Sequence, residues 1–236
     1  MNNLLSTLKD FHETVDKEYY EANKNGSNVL LEKQFEKLAK TIIYKGHIQI
    51  NHRFDIYVRS VEFYFHVEDA KHDQRYIHDP VMFHRNSVEG EKQYKHPFFK
   101  LGHFFLHPFG LDITFEKEKI YRASALIKAF NVVDNCVGAF QDYKDWTSSY
   151  LYDYIQFVDE SEENPNKDIH IEWIDDEEPC NPTLSAGCPR IGIFKFATDM
   201  NGHQTHDKLT DKDLRPWRFY RAEPYNRLSR LLDARK

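Results

Sequence analysis

Val58–His78, V-R-S-V-E-F-Y-F-H-V-E-D-A-K-H-D-Q-R-Y-I-H, is the stretch whose reading decides the fold. With the residues just ahead of it, its first half reads as a strand. Phe54, Ile56 and Val58 lie on one face by the period of two, and Val61, Phe63 and Phe65 lie on the other. The apolar face therefore switches near Ser60, which predicts a bulge or the end of one packing layer. Beyond the switch Glu62, Tyr64 and His66 point together, so a carboxylate, a phenol and an imidazole stand side by side on a rigid element. Glu68, Asp69, His72 and Asp73 follow at once. An arbitrary strand of this kind is an edge strand with a solvated face. Here the flanking residues are bulky and apolar, which predicts a partly desolvated Glu62. Desolvation raises a carboxylate's proton affinity and suits it to act as a base near neutral pH.

The rest of the chain bounds what such a strand serves. Its 236 residues, 40% hydrophobic with 18 Phe and 14 Tyr, are enough for a full core. No run of 18 apolar residues is present, and the start, M-N-N-L-L-S-T-L-K-D-F, lacks the basic and apolar parts of a signal peptide. Cys136, Cys180 and Cys188 show no C-x-x-C spacing, so a reduced, cytoplasmic chain without a cysteine zinc site is expected, with no membrane association. The net charge of −6 argues against a general nucleic-acid binder. That charge is uneven: residues 153 to 178 hold eleven acids against Lys167, a window of −10 on a remainder of +4. The window reads as a solvated insertion or as an acidic guard over a site.

In order, residues 3 to 23 carry the stripe Leu4, Leu8, Phe11, Val15 and Tyr19 of an amphipathic helix. Ser27 or Asn28 caps a second helix with the stripe Leu31, Phe35, Leu38 and Ile42. Ile48 and Ile50 mark a short strand leading through Asn51-His52-Arg53 into the central one. Residues 66 to 97 read as polar loop, 101 to 116 as a strand pair pinched near Pro108–Gly110, and 123 to 130 as a strand. Residues 132 to 157 look roughly helical, 190 to 194 form a strand, 200 to 212 a polar loop, 217 to 220 a last strand and 226 to 235 a terminal helix. Helices first and many short strands afterwards predict one α+β domain over 1–236, a curved, mostly antiparallel sheet flanked by helices. N-terminal helices at 3–43 and an exposed acidic excursion near 158–180 complete it.

Histidine is abundant, with seven between positions 66 and 107. His103 and His107 share a strand face, but no H-E-x-x-H occurs, and His66, His72, His78 and His84 recur every six residues, which matches no single helical face. Structural or surface histidines are the expectation; neither a metal nor a cofactor is predicted. There is no nucleophile elbow, P-loop or dinucleotide fingerprint.

The collinear segments are more specific. Arg59-Ser-Val-Glu62-Phe-Tyr64 is followed by Glu68-Asp69 and a nearby His, then Met82-Phe83-His84-Arg85-Asn86, an aromatic hairpin led by Gly102, Asp112-Ile113-Thr114, Ala125-Leu-Ile-Lys128-Ala129, Pro189-Arg190-Ile-Gly-Ile193 and Pro216-Trp-Arg-Phe-Tyr220. This order, from about residue 36 onward, resembles the alkyladenine (methylpurine) DNA glycosylase family. The family has a V-E-x-E-A-Y strand, E-D-x-x-x-H, an R-N near M-F, a tyrosine hairpin, N-I, V-L-x-R-A, P-R-[VI]-G-I and R-F-Y.

The resemblance implies release of a damaged purine from duplex DNA. Glu62 falls where the family's glutamate activates water, and Tyr64 where a tyrosine stacks on the extruded base. His72 or His78 stands for the base-pocket histidine, Asp112 for an asparagine that screens the base, and Lys128 for an arginine beside the water and the DNA backbone. Phe105, His107 and Phe109 in the hairpin are the expected apolar wedge. Arg218, with Arg215, Arg221, Arg227 and Arg230, supplies phosphate contacts. The hairpin lacks the family's tyrosines, and its G-P-G-K-L segment is absent, the acidic window lying roughly in that place.

Overall fold

The structure, a computed structural model, describes residues 2–22, 29–67, 79, 81–82, 84–89, 92–143, 150–151, 169–176, 183–190, 194–198, 204–212 and 215–221. Helices α1 (Asn3–Ala22) and α2 (Val29–Tyr44) come first. Strands follow: β1 (Gly46–Ile50), β2 (Phe54–Val67), β3 (Ser87–Glu89), β4 (Lys92–Tyr94), β5 (His103–His107), β6 (Gly110–Thr114), β7 (Tyr121–Asp134), β8 (Ala139–Tyr143), β9 (Ile171–Asp175), β10 (Phe194–Thr198), β11 (Gln204–Lys212) and β12 (Arg218–Tyr220). The fold is α+β. A curled antiparallel sheet runs β5-β6-β7-β2-β1-β9, with β12 added on β2 and β8 on β7. β3-β4 and β10-β11 are separate two-stranded ribbons.

β2 and β7, 14 residues each, are the spine, and both change phase at one place. The register runs Val58↔Phe130, Ser60↔Ala129 and Val61↔Ile127, so Arg59 is an extra residue in β2 and Lys128 an extra residue in β7. Two bulges facing each other cancel, and the ladder continues to Val67↔Tyr121. The parity switch read near Ser60 is this device. It keeps Ile56, Val58, Val61, Phe63 and Phe65 all in the core, and all are buried.

The helices cover that apolar face. The stripe Leu4, Leu8, Phe11 and Val15 of α1 and the stripe Leu31, Phe35, Leu38 and Ile42 of α2 are buried. Phe35 stacks on Phe63 with centroids 4.6 Å apart and meets Trp217 edge-on at 5.2 Å, while Phe11 meets Phe115 edge-on at 4.9 Å. Such pairs add about 0.5–1.5 kcal/mol each beyond their burial. Asn2 caps α1 by accepting from the Leu5 N–H at 2.9 Å. The Asp175 carboxylate at the end of β9 accepts from the Asn3 N–H and the Trp173 indole N–H, each at 2.9 Å. An anion at a helix N-terminus is stabilised by the helix dipole.

Several expectations are corrected. Residues 171–175 of the acidic window form β9, paired with β1 over Gly46↔Asp175 to Ile50↔Ile171, and Trp173 enters the core. The period-two pair Ile171 and Trp173, with Ile174 on the other face, outweighs the acids around it. Gly46 opposite is required: a Cβ there would run into the Ile174 carbonyl and lie 2.6 Å from the Trp173 ring. Residues 132–134 end β7 and 139–143 form β8, so this part of the segment read as helical is a hairpin turned at Gly138 (φ 67°). Residues 204–212, read as loop, pair with β10 at Phe194–Thr198; residues 191–193 of the strand expected at 190–194 lie outside the described residues. Residues 87–94 form the β3–β4 hairpin within the stretch read as loop. Residues 152–168 and 177–182, in and around the acidic window, and the terminal helix lie outside the described residues. Among those described, no helix is long and apolar enough to cross a membrane.

The end of the spine gives an expected pH effect. Arg53 donates to Asp134 at 2.8 and 3.2 Å, and the Cys136 N–H donates to it at 2.9 Å. The Arg53 hydrogen bond holds the Asp134 carboxyl below its ordinary value against an opposing push from burial. A depressed carboxylate stabilises the fold above its unfolded pKa, about 3.9, and that contribution is lost as pH falls through the folded value. Asp134→Asn should therefore lower the thermal midpoint at neutral pH, with the gap to wild type narrowing as pH falls below about 4. A gap independent of pH in that range would show that the charge is not what Asp134 contributes.

Candidate active site

The sheet face opposite the helices is polar and yet buried. Antiparallel partners share a face, so the register builds rows of neighbouring side chains across the sheet. One row reads Phe105, Asp112, Leu126, Glu62 and Arg218 from β5 through β6, β7 and β2 to β12. The next reads His103, Thr114, Ser124 and Tyr64. His66 pairs with Arg122 beyond it.

Glu62 is fully buried. The Tyr64 hydroxyl donates to its Oε2 at 3.1 Å, and the Lys128 Nζ lies 3.7 Å from the same oxygen. Lys128 reaches it because it is the bulged residue of β7, freed from the ladder. Burial pushes the Tyr64 phenol well above its ordinary range, and the negative Glu62 beside it adds to the push. The phenol thus stays protonated as the donor. Met82 and Leu126 pack against Tyr64. On the ring of Tyr64 also lies the Arg190 guanidinium, 4.6 Å from the centroid.

Arg190 is itself wholly buried and paired to Asp79, with Nη1 donating to Oδ2 at 2.5 Å and Nη2 to Oδ1 at 3.3 Å. Arg215 stands 3.5 Å from the same carboxylate. The Asp79 N–H donates to His66 Nδ1 at 3.1 Å, which ties this pair back to β2.

Asp112 sits two strands from Glu62, about 9–10 Å by strand spacing, with Leu126 between them. Two histidines stand beside Asp112, His107 Nε2 at 3.3 Å and His84 Nε2 at 3.8 Å from Oδ2. His84 Nδ1 is 2.5 Å from Glu116 Oε1, and Glu116 Oε2 is 3.5 Å from Arg122 Nη1. Arg122 donates to the Pro97 and His96 carbonyls at 2.8 and 2.7 Å, with its guanidinium 4.0 Å over the Phe98 ring. The two acid–base chains, Glu62 with Lys128 and Asp112 through Arg122, therefore flank Leu126.

Of the residues singled out in the sequence, Glu62, Tyr64 and Lys128 converge, and Asp112 lies on the same face. His72 and His78 lie outside the described residues, as do Arg227 and Arg230. Phe109 stands at the β5–β6 turn and is 62% exposed, whereas His107 is buried against Asp112 and Phe105 is half-buried between His84 and Phe99. Arg218 is half-buried with its guanidinium 5.5 Å over Tyr220, and Arg221 is buried over Tyr44. Sequence reasoning missed Asp79, Glu116 and Arg122. Nothing local marks them, because each charge is buried only by virtue of a partner far along the chain. Comparison of the chain with family models, curated proteins and solved structures returns no significant match.

Proposed function

We propose that this protein is an N-glycosidic hydrolase of the methylpurine-glycosylase kind, releasing a damaged purine extruded from duplex DNA. The observation that carries the reading is the buried Glu62 carboxylate, held by the Tyr64 hydroxyl and the Lys128 ammonium on a polar sheet face. The collinear segments and the antiparallel sheet with its two helices support it.

Glu62 takes a proton from a water, whose oxygen bonds to C1′ of the nucleotide. The C1′–N bond breaks, and its electron pair leaves with the purine. Positive charge building on the sugar is stabilised by the same carboxylate. Tyr64 offers an aromatic face to the base. Since Arg190 already lies over that ring, a purine enters by displacing the flexible Met82 that packs against it. Phe109, exposed on the β5–β6 hairpin, fills the gap left in the duplex in this reading. Lys128 is tied to Glu62, so strand cleavage through an imine is not part of the scheme.

The test is release of 3-methyladenine, hypoxanthine or an etheno adduct from a duplex oligonucleotide. Abasic product should accumulate, with strand scission only after added alkali. A second reading rests on the full burial of Glu62 and its ion pair: a closed, charge-balanced pocket that binds a small nucleobase-like ligand or a protein partner without chemistry. The hydrolase should lose duplex affinity as salt rises, whereas the small-ligand pocket is indifferent to salt and to DNA.

A further inference from the structure

At the end of the sheet away from Glu62's row, two histidines and a glutamate converge. His52 lies in the β1–β2 turn, His170 just before β9, and Glu172 within β9. We propose that these three residues bind one divalent transition-metal ion, for which zinc is the probe. Their ligand atoms all lie within 4.8 Å of one another. His52 Nδ1 is 3.4 Å and His170 Nε2 is 3.3 Å from Glu172 Oε1. With bonds of about 2.05 Å, two ligands of a tetrahedral zinc lie about 3.3 Å apart. Two edges of the tetrahedron are therefore already set.

The fold holds these edges in place. β1 pairs with β9 so that Gln49 faces Glu172 and Ile50 faces Ile171, which brings the turn alongside His170. The Asn51 N–H donates to the His170 carbonyl, and the His170 N–H donates to the Asn51 side-chain oxygen, both at 2.8 Å, across 119 residues of sequence. Asn51 and His52 adopt left-handed φ values of 50° and 56°, so the turn is tight and His52 is aimed by the backbone. The two imidazoles lie 5.0 Å apart, centroid to centroid.

Gln49 completes the arrangement. Its amide N–H donates to Asp55 Oδ1 at 2.8 Å, which turns its carbonyl oxygen toward His52 Nδ1, 3.1 Å away. That oxygen or a water takes the fourth position. Both histidines are exposed and Glu172 is half-buried, so the ion reaches them with no opening of the fold. As surface ion pairs alone these contacts contribute little to stability. Two neutral imidazoles and one carboxylate suit zinc, and binding releases protons and weakens on acidification.

The experiment is calorimetric titration of the untagged full-length protein with zinc chloride near neutral pH. One ion should bind per chain at this site, with the ring resonances of His52 and His170 alone shifting in imidazole-detected NMR of the wild type. His52→Gln, His170→Gln and Glu172→Gln should each weaken that binding by about tenfold or more while leaving the metal-free unfolding midpoint in place. Unchanged affinity in either histidine variant, ring shifts at other histidines, or no binding by the wild type would each overturn the assignment. The NMR readout needs no variant, so it stands even where a substitution disturbs folding.

Discussion

Glu62→Gln should reduce purine release by on the order of a hundredfold or more while duplex binding is retained, the scale for loss of a general base. The amide is isosteric and its oxygen still accepts from the Tyr64 hydroxyl, so the packing around it is kept. What is lost is the proton acceptor and the countercharge for the sugar. Lys128 is 12% exposed and has a long stem, so its ammonium reaches solvent once the carboxylate is gone. Single-turnover release and salt-dependent duplex binding, measured on the same preparation, separate the outcomes. Release at the wild-type rate removes Glu62 from the chemistry. Loss of both release and binding, with a lowered unfolding midpoint, makes it a structural charge. Asp112→Asn is the informative companion, because it introduces the asparagine of the glycosylase family that the segments resemble. Leu126 separates Asp112 from Glu62, so the change acts first on the histidines beside it, His107 at 3.3 Å and His84 at 3.8 Å.

Asp79→Ala should destabilise the protein by about 3–5 kcal/mol, the cost of removing one partner from a buried ion pair. Arg190 is then left with its charge buried against the Tyr64 and Trp217 rings and the Phe63 carbonyl, 3.3 Å away. Asp79→Asn keeps an acceptor for the guanidinium and should cost less. Replacing both partners, Asp79→Leu with Arg190→Met, should recover much of the loss, since an apolar pair needs no desolvation compensation. Denaturant unfolding of the four proteins is the measurement. If Asp79→Ala costs less than about 1 kcal/mol, Arg190 finds another partner and the pair is not what holds the segment at residue 79 to β2.

The two predictions rest on parts of the molecule that differ in how far they are legible in the chain. The strand through Glu62 could be read because its information is local. Period-two alternation from Phe54 to Phe65, with one parity fault at Ser60, gives the strand, its bulge and the shared face of Glu62 and Tyr64. The helices at 3–22 and 29–44 and the hairpin at 103–114 were legible for the same reason: their apolar spacing and turn residues lie within a few positions of one another. β8 and β9 were misread because composition hid short patterns, aromatic residues in one case and acids in the other.

Sequence alone therefore determined the α+β class, the helical stripes and the strand that presents Glu62. Tertiary structure decided everything that depends on pairing distant charges. Arg190 and Asp79 are 111 residues apart, and neither is tolerable in the interior without the other. Lys128 reaches Glu62 only because the bulge in β7 sits opposite the one in β2. His52 meets His170 and Glu172 only because β9 docks on β1. Charged and imidazole side chains carry no periodic signal of their own. Their burial follows from a partner, and the partner is chosen by the sheet register rather than by the neighbours in the chain.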